Sequence, residues 1–204
     1  MNNNKKENQY SITGQLGLVL LVDKDTLQEV IKTTPEYSAN NLLNVGIEHT
    51  PHITLFHSKL KNVSMEVIDG LLDRIIQSLP IDLSFEEISV YGGKFLFWNI
   101  NRTPELASAH ECALALSTYF VPEGEQQTDK EKLALSKEEI ENVKEFGHPL
   151  VRELWCPHIT LGYYPSGTKI KSVKKIFRGV ATGVAFVRIG EAGSIAEIID
   201  SRTL

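Results

Sequence analysis

The chain has 204 residues, a net charge of −5 and ordinary shares of hydrophobic and charged side chains. That length can bury one sizeable core or two small lobes. No apolar run is long enough to span a bilayer, and the acidic balance argues against a surface that holds long RNA or DNA through its phosphates.

The opening MNNNKKENQY is polar and lacks the apolar stretch of a signal peptide. It reads as a flexible tail, with residues 1–12 outside the folded unit and residues 13–204 inside it. Gln15 to Val22, QLGLVLLV, is a buried strand by its branched apolar content. Asp25 is placed to cap a short helix ending near Thr33. His52 to His57 reads as a strand. Val63 to Leu79 carries apolar residues at helical spacing and stops at Pro80. Ile81 to Val90 and Lys94 to Ile100 are strands about a Tyr91-Gly92-Gly93 turn. Thr103 caps a helix with Pro104 in its first turn. A further strand begins at His158, and residues 169–178 suggest a short helix. Strands at Gly183 to Ile189 and Ile195 to Ile199 are split by Glu191-Ala192-Gly193. The basic residues Lys169, Lys171, Lys174, Lys175 and Arg178 read as a solvated helix face.

The five letters PHITL occur twice, at 51–55 and at 157–161. Chance would produce such a match in about one chain of this size in a hundred, or fewer. The elements around the two copies follow one order. FLFWNI at 95–100 corresponds to the first strand, and Phe85 and Ile88 correspond to Phe186 and Ile189. The span from Ile100 to His158 is much longer than that from Val22 to His52. The excess lies near residues 121–148 and includes PEGEQQTDKEK and a helix, SKEEIENVKEF, with Ser136 and Glu139 spaced as a capping box. This insertion is open to three roles: a lid, a specificity element or a partner surface.

Strand alternation puts His52 and Thr54 on one face and Ile53 and Leu55 on the other, and His158 and Thr160 sit likewise. Two halves related by a pseudo-twofold would bring both His-Thr pairs to one groove. Displacement at phosphorus needs a base on the attacking oxygen and an acid on the leaving oxygen, and imidazole titrates where it can be either. Threonine hydroxyls can donate to non-bridging phosphate oxygens. Phe56 and Tyr164 continue the two faces and could stack on a base, with packing the alternative. Alternation turns His57 and Tyr163 away, and Trp98 and Trp155 read as core. His49, His52, His57 and Cys156 do not match any spacing expected of zinc ligands, so no metal is expected. The two cysteines, Cys112 and Cys156, form no disulfide framework, so the expected setting is reducing and cytoplasmic.

With two complete His-x-Thr-Leu motifs in a duplicated chain, the sequence resembles the 2H phosphoesterase superfamily over residues 14–201. The resemblance implies an α+β duplicated bilobal fold, two lobes each with a small antiparallel sheet, facing across a cleft. It implies cofactor-free phosphodiester chemistry at a ribose 2'-oxygen, with His52, Thr54, His158 and Thr160 lining the cleft. The expected partner is a nucleotide or short RNA, and the expected state is a monomer. Hydrolysis or transesterification ranks first, with 2'-5' ligation and nucleotide binding without catalysis as the alternatives. The insertion is where the chain departs from the family pattern, and it leaves the substrate open.

Overall fold

Branched and aromatic residues dominate the strands, and among the described residues all of these join one seven-stranded, fully antiparallel sheet system. The computed structural model describes residues 11–37, 49–122 and 135–204. The first ten residues and most of the charged stretch inside the insertion lie outside the described residues. In chain order the elements are β1 (Ser11–Val22), α1 (Lys24–Thr33), β2 (His52–Ser64), α2 (Met65–Ile76), β3 (Ile81–Tyr91), β4 (Phe95–Ile100), α3 (Pro104–Leu114), α4 (Lys137–Phe146), β5 (His158–Tyr163), β6 (Val173–Ile189) and β7 (Ile195–Thr203).

The duplication is visible in the strand order β1-β2-β5-β4-β3-β6-β7, to which β1–β6 is added. The run β2-β1-β6-β7 and the run β5-β4-β3-β6 have the same plan. β6 serves both: its first half pairs with β3 and its second half with β1 and β7. Ala181 is the crossing point, paired with Ile81 on one edge and Val22 on the other. α1 is pinned there as well. Val180 N–H donates to Thr26 Oγ1 at 3.1 Å, and a Cβ at Gly179 would strike that hydroxyl. The main core holds Trp98, Phe85, Phe186, Ile53 and Ile159, all fully buried.

Two local expectations are corrected. The cap of α1 is Asp23, whose side chain accepts from Thr26 N–H, and not Asp25. Residues 169–178 hold no helix, because Val173 to Arg178 is the first half of β6. Lys175, Phe177 and Gly179 turn inward at a period of two, and Phe177 packs on Phe85 at 5.7 Å. The neighbouring Lys174 and Arg178 face solvent, a composition that also blunts an edge. The helix of the insertion forms as expected, with the Ser136–Glu139 capping box intact and Gly147 in the left-handed region at its end.

Candidate active site

Each repeated motif opens a strand with its histidine, and the two strands meet. β2 pairs antiparallel with β5 through Ile53 and Ile159, both fully buried. An antiparallel pair centred there sets His52 across from Thr160 and Thr54 across from His158. The local twofold therefore runs through the isoleucines, and the four polar side chains surround it on the opposite face.

They do not share one open space. Thr54, His158 and Thr160 line a cavity of about 560 Å³. His52 lines a pocket of about 20 Å³ with Thr160, Ala192 and Gly193, residues that also border the cavity. The β6–β7 turn thus stands between His52 and the main space. Ala192 has φ 53°, and Gly190 N–H donates to Ser194 O at 2.8 Å, so the turn is tightly closed. His52 Nδ1 lies 2.8 Å from Thr50 O, and the Gly193 backbone holds the ring as well.

Beyond the motifs, strand alternation breaks at the same letter in both copies. Leu18 pairs with Phe56 but Val19 with Thr54, and Leu96 pairs with Gly162 but Phe97 with Thr160. Leu55 and Leu161 are thus the extra residues of two bulges, and each bulge flips the faces that follow it. As a result Phe56 is a core side chain, 1% exposed, that only backs the cavity wall. Tyr164 is 2% exposed and turned to the Tyr37 carbonyl, to which its hydroxyl donates. The expectation that these two rings present the cavity face is corrected, and so is the dismissal of their neighbours. His57 and Tyr163 line the cavity.

Two further histidines escaped the sequence reading. His110 of α3 is fully buried and stacks on Trp155 at 4.5 Å. Its Nδ1 donates to the carbonyl of the bulged Leu55 at 2.6 Å, and its Nε2 accepts from Arg152 N–H at 2.9 Å. This clamp ties bulge, helix and the Trp155 wall together, and Trp155 Nε1 in turn donates to Thr54 O. His148 follows α4 and meets His57 edge to face at 4.4 Å. On the other side of the cavity, Phe97 stacks on His158 at 3.5 Å and on Tyr91 at 5.4 Å, and Tyr91 donates to Glu139 of α4 at 2.8 Å. The insertion therefore buttresses the wall that carries His158.

Burial dominates the electrostatics. It lowers the pKa of His158 to about 4, although the Cys156 carbonyl, 2.7 Å from Nδ1, opposes the shift. His57 is lowered to about 4 by burial and then by His52. His52 is lowered by burial, against the pull of the Thr50 and Gly193 backbones. All three rings are neutral at pH 7 without a ligand. Among the described residues, no cluster of His, Cys, Asp and Glu is placed to hold a metal, and no helix is long and apolar enough to cross a membrane.

The 2'-5' RNA ligase superfamily matches residues 47–189, which include both motifs. The chain belongs to that superfamily. It is a group within the 2H phosphoesterases, so the resemblance drawn from the motifs holds. The fold agrees with TT0787 of Thermus thermophilus at TM-score 0.59 and 13% identity, over 93% of this chain and 97% of that one. It also agrees with E. coli LigT complexed with 3'-AMP, at TM-score 0.57 and 10% identity, over 95% of this chain and 99% of that one. No curated protein sequence matches. These likenesses establish the duplicated α+β fold.

Proposed function

We propose that this superfamily member is a phosphodiesterase that hydrolyses a ribose 2'-linked phosphodiester, a 2',3'-cyclic phosphate or a 2'-5' linkage, without a metal. The observation that carries the reading is the Ile53–Ile159 pair, which sets one histidine and one threonine on either side of a single point. A phosphorus atom at that point has an imidazole near each apical side. His158, the more strongly neutral ring that already lines the cavity, takes the proton of an attacking water. The water oxygen bonds to phosphorus, the bond to the ribose oxygen breaks, and His52 gives that oxygen its proton. Two backbone carbonyls at His52 favour its charged form, which suits the acid. Thr54 and Thr160 donate to the non-bridging oxygens, and the β6–β7 turn moves off His52 to let the phosphate in.

The nucleobase stacks on the aromatic wall of Phe95 and Tyr163, whose rings lie 4.9 Å apart. E. coli LigT, which shares the fold, has structures with 3'-AMP, NADP+ and ATP, and this supports a nucleotide ligand. The test is a panel of 2',3'-cyclic nucleotides, 2'-5' dinucleotides and 3'-5' dinucleotides in EDTA, with products identified by mass spectrometry. Turnover of the first two classes and not the third is expected. Turnover of 3'-5' linkages alone, or none without added metal, contradicts the proposal, and joining of ends in place of cleavage assigns the reverse reaction.

A further inference from the structure

One end of the cavity carries polar groups that the proposed chemistry does not use. His57, brought inward by the β2 bulge, and His148, delivered by the insertion, stand edge to face at 4.4 Å. The pair has no counterpart in the second half, where the position after the bulge is Tyr163. The cavity is therefore polar at one pole and aromatic at the other. His57 Nδ1 is buried with no hydrogen-bond partner. A buried polar atom without a partner is destabilising until the ring turns to pair it. His148 Nδ1 lies 3.2 Å from the Leu150 nitrogen and 3.3 Å from the Leu150 oxygen, so this backbone can donate to the neutral ring or accept from the charged one. The described lining contains no Lys or Arg, and Glu191 is its one carboxylate. Among the described lining residues, cationic charge can come only from imidazoles.

Resting on the nucleotide reading above, we propose that His57 and His148 form a second anion subsite that binds a phosphate of the substrate other than the one being cleaved. The substrate class becomes a nucleotide bearing a further phosphate, such as one on its 5'-oxygen, with the base at the aromatic pole and this phosphate at the imidazole pole. A volume of 560 Å³ is ample for such a ligand. Both rings are neutral in the empty cavity. His57 is held at about 4 by burial and His52, and His148 is lowered by burial, His57, His158 and His110. An entering dianion favours their charged forms, so binding takes up protons, and Glu191 is the one carboxylate of the described lining and repels the dianion.

The test is calorimetric titration of the wild-type protein with 3'-AMP and with adenosine 3',5'-bisphosphate, monoesters that a phosphodiesterase leaves intact. The bisphosphate should bind about tenfold more tightly, the increment of one charge-assisted contact. It should take up more protons, read as a larger dependence of the heat on buffer ionisation, and the preference should grow from pH 8 to pH 6. In His57→Gln and His148→Gln the affinity ratio of the two ligands should collapse toward one, whatever happens to the affinity common to both. Equal binding of the two ligands by the wild type, or a ratio that survives both substitutions, overturns the subsite. A pair that merely packs would lower Tm in the variants and leave the ratio intact. Failure of the phosphodiesterase reading shows separately, as absence of diester turnover with the bisphosphate preference retained.

Discussion

His158 is packed against Phe97, and burial holds its imidazole at about 4, while His52 is lowered by burial behind the β6–β7 turn. A base must be neutral and an acid protonated in the same free enzyme. With both pKa values below 6.5, kcat/KM for a cyclic nucleotide should be bell-shaped with its optimum on the acid side of pH 6.5 and should decline above it. A profile that rises through pH 8 contradicts this pair as acid and base. The threonines belong to the same scale. Thr54→Val and Thr160→Val each remove one donor aimed at the phosphate, and each should lower kcat by about 10²-fold with little change in Tm. At this scale alternation from His52 to Thr54 and from His158 to Thr160 is undisturbed, so each pair shares a face as expected, but the expected single groove is not formed, because the β6–β7 turn sets His52 apart from the main cavity. Alternation fails one residue later. Each bulge at Leu55 and Leu161 is defined by the opposing strand, and Gly162 was the one local sign of a bend.

Elements meet in the site through contacts distant in sequence. His110 joins α3 to the β2 bulge and to Arg152, and nothing in PELASAHECAL marks it, since both partners are remote along the chain. His110→Phe keeps a ring against Trp155 but leaves the Leu55 carbonyl and the Arg152 N–H without their partner. The expected cost is about 2–4 kcal/mol in urea unfolding, and a loss under about 1 kcal/mol would show that the clamp is not structural. Glu139 serves α4 twice, closing the capping box and accepting from Tyr91. Glu139→Ala should speed hydrogen exchange in residues 137–146 and cost about 1–2 kcal/mol. The capping box was legible because its signal is local. The strand at residues 173–178 was not. Extending the repeat there suggested a helix, whereas the inward period of Lys175, Phe177 and Gly179 pointed to the strand that links the two halves.

The whole molecule repeats one plan about the Ile53–Ile159 pair and departs from it at the insertion and at the His57–Tyr163 position. Its partly or fully buried histidines give it a common pH response. His52, His57, His110, His148 and His158 are all shifted down, so the unfolded chain binds more protons than the native one as pH falls below 6.5. Stability present above that value should be lost progressively toward pH 4. A Tm that falls already between pH 6.5 and 5, before most carboxylates titrate, is expected, and a flat Tm across that range contradicts it. The fold was readable at this scale because the duplication preserves element order, even where the insertion obscures it. The proposed mechanism makes the two motif histidines the two sides of one catalytic step. Its most direct measurement is cleavage of a 2',3'-cyclic nucleotide in EDTA by His52→Ala and by His158→Ala. Loss of turnover in both, each by at least about 10²-fold with folding retained, is the predicted result. Full activity in either variant, or abolition of wild-type activity by EDTA, would contradict it.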